Sequence, residues 1–350
     1  MNSRERQLAA IHHEITDRIP IDIANYFIPD TLMNFLGVSD IPGVLKKMDF
    51  DGRIVPLNYI GDMPKRTDGT IALNEWDDDA ELGVGYSLSF PHPLINANSI
   101  TEIEKYSWPD ITKYEYKQAA KEAKDLSDRW AIRGPGWFPL FCRVCSLLGM
   151  EEAMVKMVLE PELFEAIIEE VFKVVYQICK QYLDTVGKDV HILLLTDDFA
   201  TQKGMMISPE LWRKFFKPRW IKLFDMGKSA GKFIWFHSCG NIIDILPDLI
   251  NIGLDVWETV QLHTLTMTPK QLKCEYGKDI TFFGAINTQR LPFRSIQEVE
   301  IEVTECIETL GKGGGYICGG DHELRPDVHP EIAVALYDSA KKFRQEGYTI

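Results

Sequence analysis

Short β-branched apolar runs alternate along this chain with longer stretches in which apolar residues recur every three to four positions. The short runs predict strands at Arg18–Ile23, Arg53–Leu57, Ala131–Gly134, Val190–Leu195, Phe233–Phe236, Leu254–Val260, Ile280–Phe283 and Gly315–Cys318. Between Glu162 and Asp184, Phe164, Ile167, Ile168, Val171, Val175, Ile178 and Tyr182 keep the spacing of one buried helix face. Ser208-Pro209-Glu210 reads as an N-cap followed by proline at the first helical position. Thr268 and Ser295 each precede Gln or Glu by three residues, which predicts capping boxes. A last helix is expected from about His329-Pro330-Glu331, fading at Gly347. Between the second and third strands, Thr70–Trp76 and Gly83–Phe90 suggest a hairpin with Asp77-Asp78-Asp79 near its tip.

No repeat, linker-like tract or low-complexity segment divides the sequence, so one domain spanning 1–350 is expected. Alternating β and α with eight strands points to an α/β fold, a single (β/α)8 TIM barrel with N-terminal helical and hairpin decorations. A dinucleotide-binding doubly wound sheet would need a glycine fingerprint after the first strand, and Asp22-Ile23-Ala24-Asn25-Tyr26 has none. The 38 basic and 52 acidic side chains give a net charge of −14, and no basic tract stands out. Nucleic acid is therefore not an expected partner. The N-terminus leads into no apolar signal-like segment and no run of 18 apolar residues exists, so no membrane span is expected. Seven irregularly spaced cysteines argue for a reducing, cytoplasmic setting rather than a disulfide framework.

In such a barrel the chemistry collects at the C-terminal ends of the strands. Those ends carry Asn25, Thr196-Asp197-Asp198, His237-Ser238-Cys239, Glu258, Asn287, Cys318 and His322. An imidazole and one or two thiolates with an open position suit a catalytic zinc ion. The plain alternative is a small buried thiol beside a satisfied core histidine. Asp197 and Asp198 could act on substrate or cap a neighbouring helix. Glu258 is a carboxylate on an otherwise apolar strand, and burial there demands a partner. Cys142-Arg143-Val144-Cys145 lacks a second pair and reads as packed thiols.

Several segments together resemble the uroporphyrinogen decarboxylase superfamily. They are Arg4-Glu5-Arg6 with Thr16–Pro20, Asp197-Asp198-Phe199 to Gly204 before Ser208-Pro209-Glu210, His237-Ser238-Cys239-Gly240-Asn241, Phe283–Asn287 and Arg325-Pro326-Asp327. The resemblance covers essentially the whole chain and implies a distorted (β/α)8 barrel with its cleft at the strand C-termini. True decarboxylases of that superfamily carry an arginine-rich loop after the first strand, where this chain has Asn25-Tyr26-Phe27-Ile28-Pro29-Asp30. Porphyrinogen decarboxylation is therefore disfavoured.

The pattern H-x-C followed by a distant cysteine resembles the zinc-dependent, cobamide-linked methyltransferase branch, which includes methylcobamide:coenzyme M methyltransferase and corrinoid O-demethylase methyltransferases. That resemblance implies Zn²⁺ on His237 and Cys239, with Cys318 or His322 as further ligand; Asp197, Asp198 and Glu258, read from their places at the strand ends, are the candidate catalytic groups. The resemblance implies methylcobamide carried by a separate corrinoid protein, in methanogenesis or acetogenesis; a homodimer is compatible with it. Asp327-Val328-His329 opens like a corrinoid signature, but Ile332 stands where that signature needs glycine. The aromatic residues Tyr26, Trp137, Phe138 and Phe199, with Asn25 and Asn287, are the expected substrate contacts and favour O-demethylation of a methoxylated aromatic over a thiol. A decarboxylase-like lyase and a non-catalytic small-molecule-binding barrel are the competing readings.

Overall fold

The computed structural model describes residues 1–25, 27–78 and 91–343. Its strands are β1 (Gly52–Ile54), β2 (Ala131–Gly134), β3 (Ile192–Thr196), β4 (Ala200–Thr201), β5 (Gly204–Met205), β6 (Phe233–His237), β7 (Val256–Val260), β8 (Thr281–Ile286) and β9 (Tyr316–Gly320). A seven-stranded parallel sheet runs in the order β1-β2-β3-β6-β7-β8-β9, and β4 and β5 form a small antiparallel pair beside it.

The segment expected as the first strand, Arg18–Ile23, is not a full strand. Ile21 makes one parallel bridge to Cys318. Asp22 N–H donates to Cys318 C=O at 3.1 Å, Cys318 N–H to Pro20 C=O at 2.9 Å, and Asp51 N–H to Ile21 C=O at 2.9 Å. These bonds join β9 to the start of β1 and close the ring. The pairing is short because the segment turns into side-chain anchorage: Asp51 accepts from Ile21 N–H at 2.9 Å and pairs with both Arg6 and Arg18.

Alternation along the strands sorts side chains into two layers. Ile192, Leu194, Trp235, Val256, Phe283 and Ile317 pack together as one inner cluster. Leu193, Leu195, Ile234, Phe236, Trp257 and Cys318 belong to the larger outer layer shared with the helices. The helix predicted over 162–184 is Pro161–Val186, its buried stripe including Phe164, Ile167, Val171, Val175 and Tyr182. The capping boxes form at Thr268 and Ser295, and Ser208 caps the helix Pro209–Phe215. The final helix is Pro330–Lys342. Helices Ser3–Ile11, Asp30–Leu36 and Ile41–Lys47 supply the N-terminal decoration.

The hairpin reading fares differently. No strand forms at 70–76, where Lys65 and Ile71 make a single antiparallel bridge, and Gly83–Phe90 lies outside the described residues. Gly52 shows how tightly the ring is filled: a Cβ there would meet Asp22 Oδ2 at 2.1 Å. Among the described residues no helix is long and apolar enough to cross a membrane.

Candidate metal centre at the barrel mouth

Strands β3, β6 and β7 end in register, with Thr196 opposite His237 and His237 opposite Glu258. Trp235 and His237 are two residues apart on β6 and so face the same side. Both meet Glu258, whose Oε2 accepts from the Trp235 indole N–H while Oε1 stands 3.3 Å from His237 Nδ1. With Nδ1 turned to a carboxylate, Nε2 is the nitrogen presented to the mouth, the arrangement found behind metal-bound histidines.

A β-bulge aims Glu258. The register with β8 shifts between Glu258 and Val260, and Thr259 takes a left-handed φ of 66°. That conformation strains a β-branched residue. It is held by the Thr259 hydroxyl, which contacts Ser238 C=O at 2.9 Å and Glu258 C=O at 2.7 Å.

Beyond β6 the chain turns at Gly240, with φ 77° and the Ala200 and Thr201 carbonyls so close that a Cβ would sit 2.7 and 2.6 Å from them. Only glycine fits there. The turn sets Cys239 back over His237, Sγ to Nε2 3.6 Å. Asp198 Oδ1 accepts from Cys239 N–H at 2.7 Å and lies 3.8 Å from His237 Nε2. One donor atom each from Asp198, His237 and Cys239 therefore falls within 4.8 Å of the others.

This set fits a zinc ion. Nitrogen and sulfur donors on one tetrahedral Zn²⁺ stand about 3.5 Å apart, given bonds of ~2.05 and ~2.3 Å. The electrostatics agree. Burial works to strip the proton from His237, but Cys239 and Glu258 on either side lift it well above its ordinary value. Glu258 is held below the usual carboxylate range: burial opposes its charge, and His237, Arg133 and Trp235 outweigh the burial. A cation is what such a concentration of negative character balances.

The acidic pair divides. Asp198 joins this group, whereas Asp197 is fully buried and caps the helix Phe141–Leu148. Its carboxylate accepts from Leu140, Phe141 and Cys142 N–H at 3.0, 2.7 and 3.0 Å. Burial pushes its carboxyl up to about 7, against these donors.

Cys318 is not brought to the group. It alternates with inward-facing Ile317 and so enters the outer layer, where the Tyr316 hydroxyl neighbours it and burial pushes its thiol up to about 12. His322, on the loop after β9, does come to Cys239: burial lowers its proton affinity, and the adjacent Cys239 sulfur more than restores it. Cys239, His322, Gln261, Thr288 and Arg325 line one cavity of about 260 Å³.

Among the expected substrate contacts, Trp137 stands edge-on to His237 with centroids 5.3 Å apart. Phe138 packs on Tyr114 instead. Phe199 is wholly buried among Phe141, Trp212 and Phe216, because the chain turns outward after Asp198. Asn287 lines a separate cavity of about 410 Å³ with His263 and Lys270. Asn25 follows the closing segment with φ 54°, and Tyr26 lies outside the described residues. Cys142 and Cys145 are buried thiols outside any disulfide, on the capped helix.

Sequence reading missed Trp235, Arg133, Gln261 and Arg325. Trp235 sits two residues before His237, a spacing that strand alternation makes visible once the strand end is known, whereas Gln261, three after Glu258, follows the bulge at Thr259, which alternation does not foretell. Arg133 is fully buried, ion-paired with Asp22 and stacked over Trp235 at 4.7 Å, so it backs Glu258 from inside the barrel.

Comparison with known proteins agrees with this architecture. The family model for uroporphyrinogen decarboxylase (URO-D) matches residues 89–343. No curated protein matches the chain. A solved structure of a methyltransferase from Methanosarcina mazei superposes with a TM-score of 0.66 at 17% identity, over 98% of this chain and 99% of that one.

Proposed function

The chain belongs to the uroporphyrinogen decarboxylase (URO-D) family, and on that premise we propose that it is a zinc-dependent methyltransferase. It moves a methyl group between a small substrate and the cobalt of a separate corrinoid protein. The observation that carries this reading is the convergence of His237 Nε2, Cys239 Sγ and Asp198 Oδ1 at the barrel mouth. Decarboxylation, for which the family is named, is the poorer reading, because a soft thiolate–imidazole pair serves metal binding and has no task in it.

His237 and Cys239 would hold the ion, with Asp198 and His322 as the donors beside them. When bound, Zn²⁺ supplies Lewis acidity, drawing electron density from a methoxy oxygen or keeping a substrate thiol as thiolate. Glu258 fixes the imidazole by its Nδ1 side and balances the charge it faces. Asp198 pins the Cys239 backbone N–H, so the sulfur keeps its place as substrate enters. Trp137 offers its ring edge beside His237, a wall against which an aromatic substrate can lie. The corrinoid would approach over the same mouth, where the loops after β3, β6 and β9 meet. O-demethylation of a methoxylated aromatic remains our preferred substrate class.

The test is direct. Purified protein should bind ~1 zinc per chain and, with that metal, transfer methyl from a methoxylated aromatic to cob(I)alamin or a corrinoid protein. Retention of full zinc by a Cys239→Ala, His237→Ala double variant would overturn the assignment.

A further inference from the structure

The cavity that reaches Cys239 is also lined by an exposed arginine. Arg325, on the loop after β9, lines it together with Gln261, Thr288 and His322. Elsewhere the arginines Arg6, Arg18, Arg133, Arg143, Arg213 and Arg219 are each matched to a carboxylate. Arg325 differs: among the described residues no carboxylate pairs with it. A guanidinium stays charged at any ordinary pH and presents a planar fork that suits a carboxylate or sulfonate.

The wall beside it is polar and fixed. Gln261 is buried and its Oε1 accepts from Gly240 N–H at 2.8 Å, which leaves its Nε2 donor as the remaining polar end. Thr288 is locked to the buried Asp321 by bonds of 2.9 Å from N–H and 2.8 Å from the hydroxyl. The Cys239 sulfur lines the same cavity, and the Asp198 carboxylate is bonded to the Cys239 N–H. An anionic group in the cavity is attracted to Arg325. The cavity volume of about 260 Å³ holds a single small organic molecule.

We infer that Arg325 is a specificity-determining residue that binds the anionic group of a small carboxylate- or sulfonate-bearing substrate, so that the opposite, uncharged end meets Cys239. The identity of the reacting end rests on the methyl-transfer reading; the anion subsite does not.

Calorimetric titration of the full chain, metal-free and zinc-loaded, with 4-methoxybenzoate and with 4-methoxybenzyl alcohol tests it. The carboxylate should bind ~10–100-fold more tightly than the alcohol in both forms, the range expected for a hydrogen bond to a charged group. Arg325→Gln should erase that preference while leaving affinity for the alcohol unchanged, and Arg325→Lys should restore part of it. In turnover with cob(I)alamin, the Gln variant should raise KM for the carboxylate and leave kcat as it was.

Equal binding of the two probes by the native chain, or a preference that survives Arg325→Gln, overturns the inference. So does a rise in the KM for cob(I)alamin alone, which would assign Arg325 to the corrinoid phosphate. An Arg325-dependent preference without any methyl transfer supports the subsite and sinks the proposed activity. Methyl transfer without the preference does the reverse.

Discussion

The two ends of the barrel treat charge in opposite ways. At the N-terminal end buried guanidinium groups meet carboxylates. Arg6 pairs with Asp17 at 2.7 Å and Asp51 at 2.6 Å, and Arg18 pairs with Asp51 at 2.8 Å. At the C-terminal end, groups of like character meet: Asp198, Cys239 and Glu258 surround one imidazole. Matched charges satisfy one another in the fold, whereas donors of like character around one imidazole make a candidate metal site.

The largest effect should come from the mouth. Cys239→Ala is expected to reduce bound zinc from about one per chain to under about a tenth, and methyl transfer by more than ~10³-fold. The melting temperature of the chelated protein should hardly move. Metal analysis and calorimetry on the same preparation separate the two, and a variant that keeps its zinc removes the mouth from the comparison.

At the other end the order reverses. Asp51→Ala removes the fully buried carboxylate that Arg6 and Arg18 share, leaving them only Asp17 and Asp49, and should cost about 3 kcal/mol, read by urea unfolding. Folded protein that remains should bind zinc at the native stoichiometry. If zinc affinity falls as steeply as stability, the two ends are not separate.

The adjacent aspartates sharpen the contrast within three atoms of backbone. Asp197→Ala removes the cap of helix Phe141–Leu148 and should destabilise by ~2 kcal/mol. Asp198→Asn should leave unfolding nearly unchanged and weaken zinc binding ~10–100-fold. Reversed outcomes would exchange their roles.

The smallest effect is a pH dependence at the N-terminal end. His191 Nδ1 accepts from Ile132 N–H at 3.0 Å, and burial, with Arg4 and Lys232 nearby, pulls its pKa down from 6.5 to about 4. The folded state therefore prefers the neutral ring. Its contribution, about 1–3 kcal/mol, is complete above the unfolded value near 6.5 and is lost as pH falls toward 4. His191→Asn keeps an acceptor without the titration, so its stability should lose that slope between pH 6.5 and 4.

Strand alternation and helix periodicity were legible in the sequence because each reports a single local rule. Val190–Leu195 reads correctly because a parallel strand buried on both faces is an unbroken apolar run, and the stripe from Phe164 to Tyr182 because burial on one face sets its period. The closing segment misled because Arg18–Ile23 has a strand's composition, yet its order comes from Asp51, which is remote in sequence. The metal donors were partly legible: alternation alone puts His237 and Cys239 on one side. It also puts Cys318 opposite to Gly319, but which face is inner depends on the neighbouring strand, and that is tertiary information. Phe199 was out of reach for the same reason, since a residue just past a strand end can turn in or out.

The ring's eight sides are not equally strong. Seven strands share ladders of hydrogen bonds, but the eighth side is a clasp made by Pro20, Ile21 and Asp22 against Cys318 and Asp51. In strand order that clasp lies across the barrel from β6. Breathing of the ring therefore starts there, and amide exchange should be fastest along it. The β9 side, with His322 and Arg325 on its loop, borders that clasp, whereas the strand carrying His237 stands away from it. A barrel fastened this way has its shortest seam on the side farthest from the strand that carries the metal-binding imidazole.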